Sequence, residues 1–340
     1  MSLWDNIIDQ SPAVDFLKKT VENKNEYMPQ SWLITGPPGS GRTTVAKSFA
    51  AALEGLETAE QQIPDIHFVT TEKSEYSVAD IRSVLLEAET YPVSGVYKIF
   101  ILEDVDRMSP QAANLFLKNL EEPDDFIIWI LCTTNPRDVL VTIRSRCTNV
   151  ELKTPSAEKI ASALEKELTI PKDLAITCAR VSGNHIGLAK RYAKNPKLLE
   201  IRTHLLSKLL SISSFSDAVL LADDVEKKAN ASAKQLTEEL EIDAKEKKRQ
   251  ETRIKKDEID LILISSLTLY RDLFMVKTAL EESIINWNLK QSILQASQEI
   301  SNARILWSIE QINDARRRIK TNAQTLLTLE ALFASLNRRL

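Results

Sequence analysis

Glycine and proline give out long before the chain ends. Of 340 residues only seven are glycine and twelve proline, and neither type occurs after Pro196. A run from Lys197 to Leu340 without breakers, rich in Leu, Ile, Ala, Lys, Glu and Arg, is expected to be all-helical. Cysteine is equally scarce. Cys132, Cys147 and Cys178 lie far apart and form no C-x-x-C pair, which argues against a disulfide framework or a zinc site and for small buried residues. The three histidines, His67, His185 and His204, are scattered and give no metal or triad signal. No apolar run approaches the roughly 20 residues that span a bilayer. The opening Met1-Ser2-Leu3-Trp4-Asp5 lacks the basic-then-apolar layout of a secretory signal. The chain therefore reads as cytoplasmic, with no membrane partner. A net charge of -4 carries no global basic signal, so nucleic-acid contact has to be local or shared with partners.

Against this scarcity, three of the seven glycines fall within six residues. Trp32-Leu33-Ile34 is an apolar run ending at Thr35; then come Gly36-Pro37-Pro38-Gly39-Ser40-Gly41-Arg42-Thr43-Thr44 and a helix-compatible segment. Strand, glycine-rich turn and helix follow in the order of a P-loop, whose backbone N–H groups cradle phosphates at a helix N-terminus. The same Gly-Pro-Pro-Gly could be a plain tight turn, but the strand before and helix after oppose that. Thr43 is placed to put a hydroxyl on Mg²⁺. Arg42 stands where the pattern G-x-x-x-x-G-K-[ST] has lysine. A planar guanidinium on a longer stem is not a conservative replacement for a compact ammonium. ATP or ADP binding is expected to survive in weakened form, with hydrolysis slow or absent.

Three further stretches bear on the same site. Ile99 to Leu102 is a buried-strand pattern ending in Glu103-Asp104, the metal-binding and water-orienting positions with their usual Asp-Glu order reversed. Glu103 still reaches a metal shell, whereas Asp104 is one methylene short for polarising water. Asn135, after Thr133-Thr134, is a candidate γ-phosphate sensor, although Asn-Pro is also an ordinary turn pair. Arg144 and Arg146 are either surface charges or, beside a P-loop core, an arginine finger aimed at a neighbouring subunit's nucleotide.

Strand patterns at 66–70, 96–102, 126–132 and 148–152 alternate with helical ones at 77–89, 109–120 and 139–145. Ser77 with Asp80 reads as a capping-box start, and Ser109-Pro110 as an N-cap followed by proline at N1. The order implies an α/β fold with a five-stranded parallel sheet. Residues 156–196 read as helical with one break, at 182–187. A charged helix is expected over 217–256, best read as a solvated face, and a core helix over 259–280. Helices over 304–320 and 326–340 finish the bundle, with the domain change placed near 196–206.

Leu117-Lys118-Asn119-Leu120-Glu121-Glu122-Pro123 and Ser145-Arg146-Cys147 then narrow the choice. With them the chain resembles the AAA+ clamp-loader family of DNA replication over essentially its whole length. The resemblance implies an AAA+ core (1–153), a helical lid (154–204) and a helical collar (205–340). It implies a hetero-pentameric ring of clamp-loader subunits that loads a sliding clamp onto primer-template DNA, with Arg146 completing the adjacent subunit's ATP site. It also places Trp4, Ile7, Ile8 and Gln10 beside the adenine. The zinc module of many relatives is not expected, since residues 52–64 hold no cysteine. The lid arginine of active motors falls near Ile186, with Lys190 or Arg191 as substitutes only if the helix is rotated. Arg42, Glu103-Asp104 and Ile186 all favour a subunit with little ATPase of its own over the alternative, an active motor. A small-molecule P-loop kinase is opposed by the long helical tail.

Overall fold

The computed structural model describes residues 3–337 apart from 25, 27, 60, 62, 72–74, 239–243 and 321–322. The chain divides into two compact units, one of 1–179 with 184–191 and the other of 180–183 with 192–340.

The first unit is built on five parallel strands: β1 (Ser31–Thr35), β2 (Ile66–Val69), β3 (Lys98–Leu102), β4 (Ile127–Thr133) and β5 (Thr148–Glu151). Their order is β2-β3-β4-β1-β5. The central three are buried along their whole length, as expected of strands covered on both faces. Alternate residues sort cleanly between the faces. Ile34, Ile99, Ile101, Ile128 and Ile130 pack with Leu17 of α1 (Ser11–Glu22) and Phe49 of α2 (Arg42–Leu53). Leu33, Phe100, Leu102, Trp129 and Leu131 pack with Ile81 of α3 (Val78–Ala88), Phe116 of α4 (Pro110–Glu121) and Ile143 of α5 (Val141–Arg144). The registers Thr35↔Thr133 and Leu102↔Leu131 align the carboxyl ends of β1, β3 and β4. The P-loop, Glu103-Asp104 and the Thr133–Asn135 turn thus emerge along one edge, where α/β sheets hold ligands.

The capping devices read from sequence are present. Ser77 and Asp80 exchange both bonds of a capping box, and the Ser109 hydroxyl accepts from Ala112 N–H ahead of Pro110. Lys98, the one charge in the β3 run, is buried, and its ammonium donates to Thr90 Oγ1, to the Glu87 carbonyl at 2.8 Å and to the Glu87 carboxylate at 3.1 Å. The stretch 156–196 has two breaks where one was expected. α6 (Ala157–Leu168) ends on Thr169 at φ +54° shortly before Pro171; α7 (Lys172–Val181) and α8 (Ile186–Lys194) follow.

The second unit is helical: α9 (Lys197–Leu210), α10 (Phe215–Glu238), α11 (Ala244–Lys277), α12 (Lys290–Glu299), α13 (Asn302–Lys320) and α14 (Thr325–Ser335). Leu209, Val225, Ile259, Leu273, Ile293, Ile312 and Phe333 share one core. The expected boundary at 256–259 is not a boundary. α11 runs through it, because Lys255 and Asp260 lie on helix faces and pair with Glu226 (2.6 Å) and Arg316 (2.6 Å). The single helix expected over 217–256 is two: α10 ends at Glu238 and α11 begins at Ala244, with 239–243 between them outside the described residues. Among the described residues no helix is long and apolar enough to cross a membrane.

Candidate functional site

The buried β1 strand delivers the chain into the loop at Gly36, whose N–H donates to Thr133 O at 3.3 Å. Gly39 and Gly41 take φ of +79° and +94°, a region that side chains resist, and Gly41 caps α2. At Gly39 glycine is required twice over: a Cβ there would lie 2.2 Å from Cγ of His185. Ile186 N–H donates to Gly39 O at 3.1 Å, so the start of α8 sits directly on the loop. His185 caps that helix through Nδ1, which accepts from Leu188 N–H. Burial and then the Arg42 charge hold its pKa below the usual imidazole value, favouring the neutral acceptor form.

Arg42 is turned inward. Its Nη1 donates to Gly36 O and, at 3.1 Å, to Pro37 O. Nη2 is 4.0 Å from Asp104 Oδ1, the limit of an ion pair. Asp104 adopts φ +49° and lies 3.5 Å from Arg107 Nη1. The carboxylate at the water-orienting position is therefore flanked by two guanidinium groups. Glu103 is half-turned into the protein. Burial raises its carboxyl pKa, against the Thr43 hydroxyl bond and the Arg42 charge, which lower it. Thr43 and Glu103 are thus brought together. Ser40 Oγ, Arg42 Nε and Glu103 Oε1 are buried without a hydrogen-bond partner among the described residues. Orphaned polar atoms on the P-loop segment and at the end of β3 mark a place where a ligand would complete the bonding.

A cleft of about 650 Å³ opens over Gly39, Ser40, Gly41, Arg42, Thr43 and Thr44. Ile7 and Ile8 line it, as do Ile186 and Lys190. Lys190 is tied to Glu167 at 2.6 Å. Gln10 lies outside the cleft lining and is a brace: its amide donates to Lys153 O (2.7 Å) and accepts from Lys153 N (3.0 Å), joining the N-terminal segment to the end of β5. Gly36, Pro37, Pro38, Glu103 and Asp104 do not line the cleft, nor does Asn135. The Asn135 amide donates to Asp138 (2.7 Å) and accepts from Arg137 N (3.1 Å), so it is engaged within its own turn. Thr133 Oγ1 donates to Asp106 at 2.6 Å instead.

Arg146 stands apart, exposed just past α5. Nη1 donates to Thr142 O (2.9 Å) and Ser145 Oγ (3.3 Å), while Nη2 pairs with Glu121 at 2.5 Å. Nε of Arg144 is buried. The contact of His185 with Gly39 had no signal in the sequence, because it joins residues far apart in the chain. The three cysteines are buried and free, and burial pushes the Cys147 and Cys178 thiols up to about 12 and about 11.

Known proteins give this geometry its context. Residues 9–156 match the family described as "DNA polymerase III, delta subunit". The delta' subunit of DNA polymerase III from Bacillus subtilis is 23% identical over 98% of this chain and 98% of its own length. The tau subunit of the same organism is 27% identical over 45% of this chain, which spans only 30% of that protein. A DNA polymerase III gamma subunit-related protein from Thermotoga maritima shares the fold, with a TM-score of 0.54, 19% identity and coverage of 95% and 99% of the two chains. The family match thus falls within the P-loop unit, and the delta' relative is similar to the chain from end to end.

Proposed function

We propose that this chain is a clamp-loader subunit that carries out little or no ATP hydrolysis of its own and supplies Arg146 to the nucleotide of a neighbouring ATPase subunit. It would sit in a hetero-pentameric ring with other DNA polymerase III subunits, the ring acting on sliding clamp and primer-template DNA, with residues 154–204 as the lid. The observation that carries this reading is the opposite disposition of two arginines. Arg42 is tied to carbonyls of its own loop, whereas Arg146 is exposed.

The chain's own site fits a nucleotide that is held but not turned over. Loop N–H groups and the α2 N-terminus attract phosphate. The oxygens of Thr43 and Glu103 suit Mg²⁺, which when bound would neutralise phosphate charge. Asp104, short and flanked by Arg42 and Arg107, is poorly suited to orient water, and Ile186 brings no charge to the cleft. The active-motor alternative would need each of these positions to act otherwise. The isolated chain is expected to hydrolyse ATP negligibly. Turnover on the roughly 1–100 s⁻¹ scale of competent phosphoryl-transfer enzymes would overturn the reading.

A further inference from the structure

We infer that Glu121 is a positioning residue for Arg146, holding the guanidinium in the plane it presents to a neighbouring subunit. This rests on the reading of Arg146 as a group that acts on another subunit's nucleotide. A long arginine side chain loses rotamer entropy when fixed, so a finger that is free in the unbound chain starts at a disadvantage. Here it is not free. Thr142 O and Ser145 Oγ hold Nη1, and the Glu121 carboxylate holds Nη2 at 2.5 Å. A guanidinium has five N–H donors, so part of the fork remains for a phosphate oxygen.

Both supports are rigid. Glu121 is the last residue of α4, and Arg146 N–H donates to Ile143 O just beyond α5. Phe116 and Leu120 of α4 share one buried cluster with Ile143 and Cys147, which fixes the two backbones against each other. A carboxylate in the last turn of a helix opposes the helix dipole, so Glu121 does not serve α4 itself. Arg146 supplies the charge that compensates it.

The test uses the full chain in a complex reconstituted with an active motor subunit, reading ATP turnover, KM for ATP and stoichiometry. Glu121→Ala is expected to lower kcat about two- to fivefold, the scale of an exposed ion pair. KM and assembly should be unchanged, and Glu121→Asp should recover part of the loss. Combined with Arg146→Ala, Glu121→Ala should cost nothing more, because it acts only through the arginine. Unchanged or raised turnover in Glu121→Ala, or a further loss in the double variant, overturns the role of Glu121 while leaving Arg146 in place. No effect of Arg146→Ala alone removes the underlying reading instead.

Discussion

At the scale of single residues, the loop is shaped by what surrounds it as much as by its own glycines. Gly39 has no room for a Cβ because His185 lies against it. Nothing local to either residue announces that contact, whereas Gly36, Gly39 and Gly41 were legible from clustering alone. The same holds for Arg42: its identity was plain in the sequence, its inward turn onto Gly36 and Pro37 was not. Asp65 offers a cleaner test of buried charge. Burial pushes its pKa up, but N–H groups of Val93, Ser94 and Gly95 and the Ser94 hydroxyl outweigh this and hold it at about 2, against an ordinary 3.8. Because the folded value is the lower one, the stabilisation is fully present above the ordinary value and is lost as pH falls through it toward about 2. It amounts to about 2 kcal/mol. Asp65→Asn is expected to lose stability by up to that amount at neutral pH and to flatten the acid side of the stability profile. Urea unfolding at neutral pH and between about pH 5 and pH 2 reads both; a variant with the same acid slope as the parent would reject the assignment.

Among the elements, the sheet strands and capped helices of the first unit were legible because each carries its own local chemistry: Ser77 with Asp80, Ser109 before Pro110, apolar runs for β3 and β4. The helices of the second unit were legible as helices but not in their boundaries. Polar residues at 255–258 look like a break, yet Lys255 and, just beyond them, Asp260 meet Glu226 and Arg316, partners that only the tertiary arrangement supplies. Turns made without glycine are the other hidden feature. After α11 the chain reverses on Ala279 at φ +58°, with Leu280 N–H donating to Met275 O and Ala279 N–H to Val276 O. That is a Schellman-type ending whose left-handed position ordinarily takes glycine. Ala279→Gly is therefore expected to stabilise the protein by about 1 kcal/mol, the steric cost of a Cβ in that region less the backbone entropy of glycine. Thermal unfolding should show a small rise in Tm; a fall would mean that the alanine methyl contributes more than the strain costs.

For the whole molecule, the proposed function departs from the one a P-loop fold ordinarily serves. The sheet order, the alignment of the β1, β3 and β4 ends and the cleft over the loop preserve a nucleotide-binding frame. Under that proposal three positions account for the weak turnover: Arg42 bonded to its own loop, Asp104 between two guanidinium groups, and Ile186 at the cleft. The group we propose to act outward is Arg146, which S-R-C made legible as a candidate and which is exposed and bonded to Thr142 O and Glu121. The most direct test is DNA-dependent ATPase of the reconstituted assembly with Arg146→Ala in this chain. The account predicts a fall of at least about tenfold, given that arginine fingers contribute about 10³–10⁵ in other phosphoryl-transfer enzymes, with subunit stoichiometry unchanged. Undiminished turnover in a fully assembled complex would contradict it.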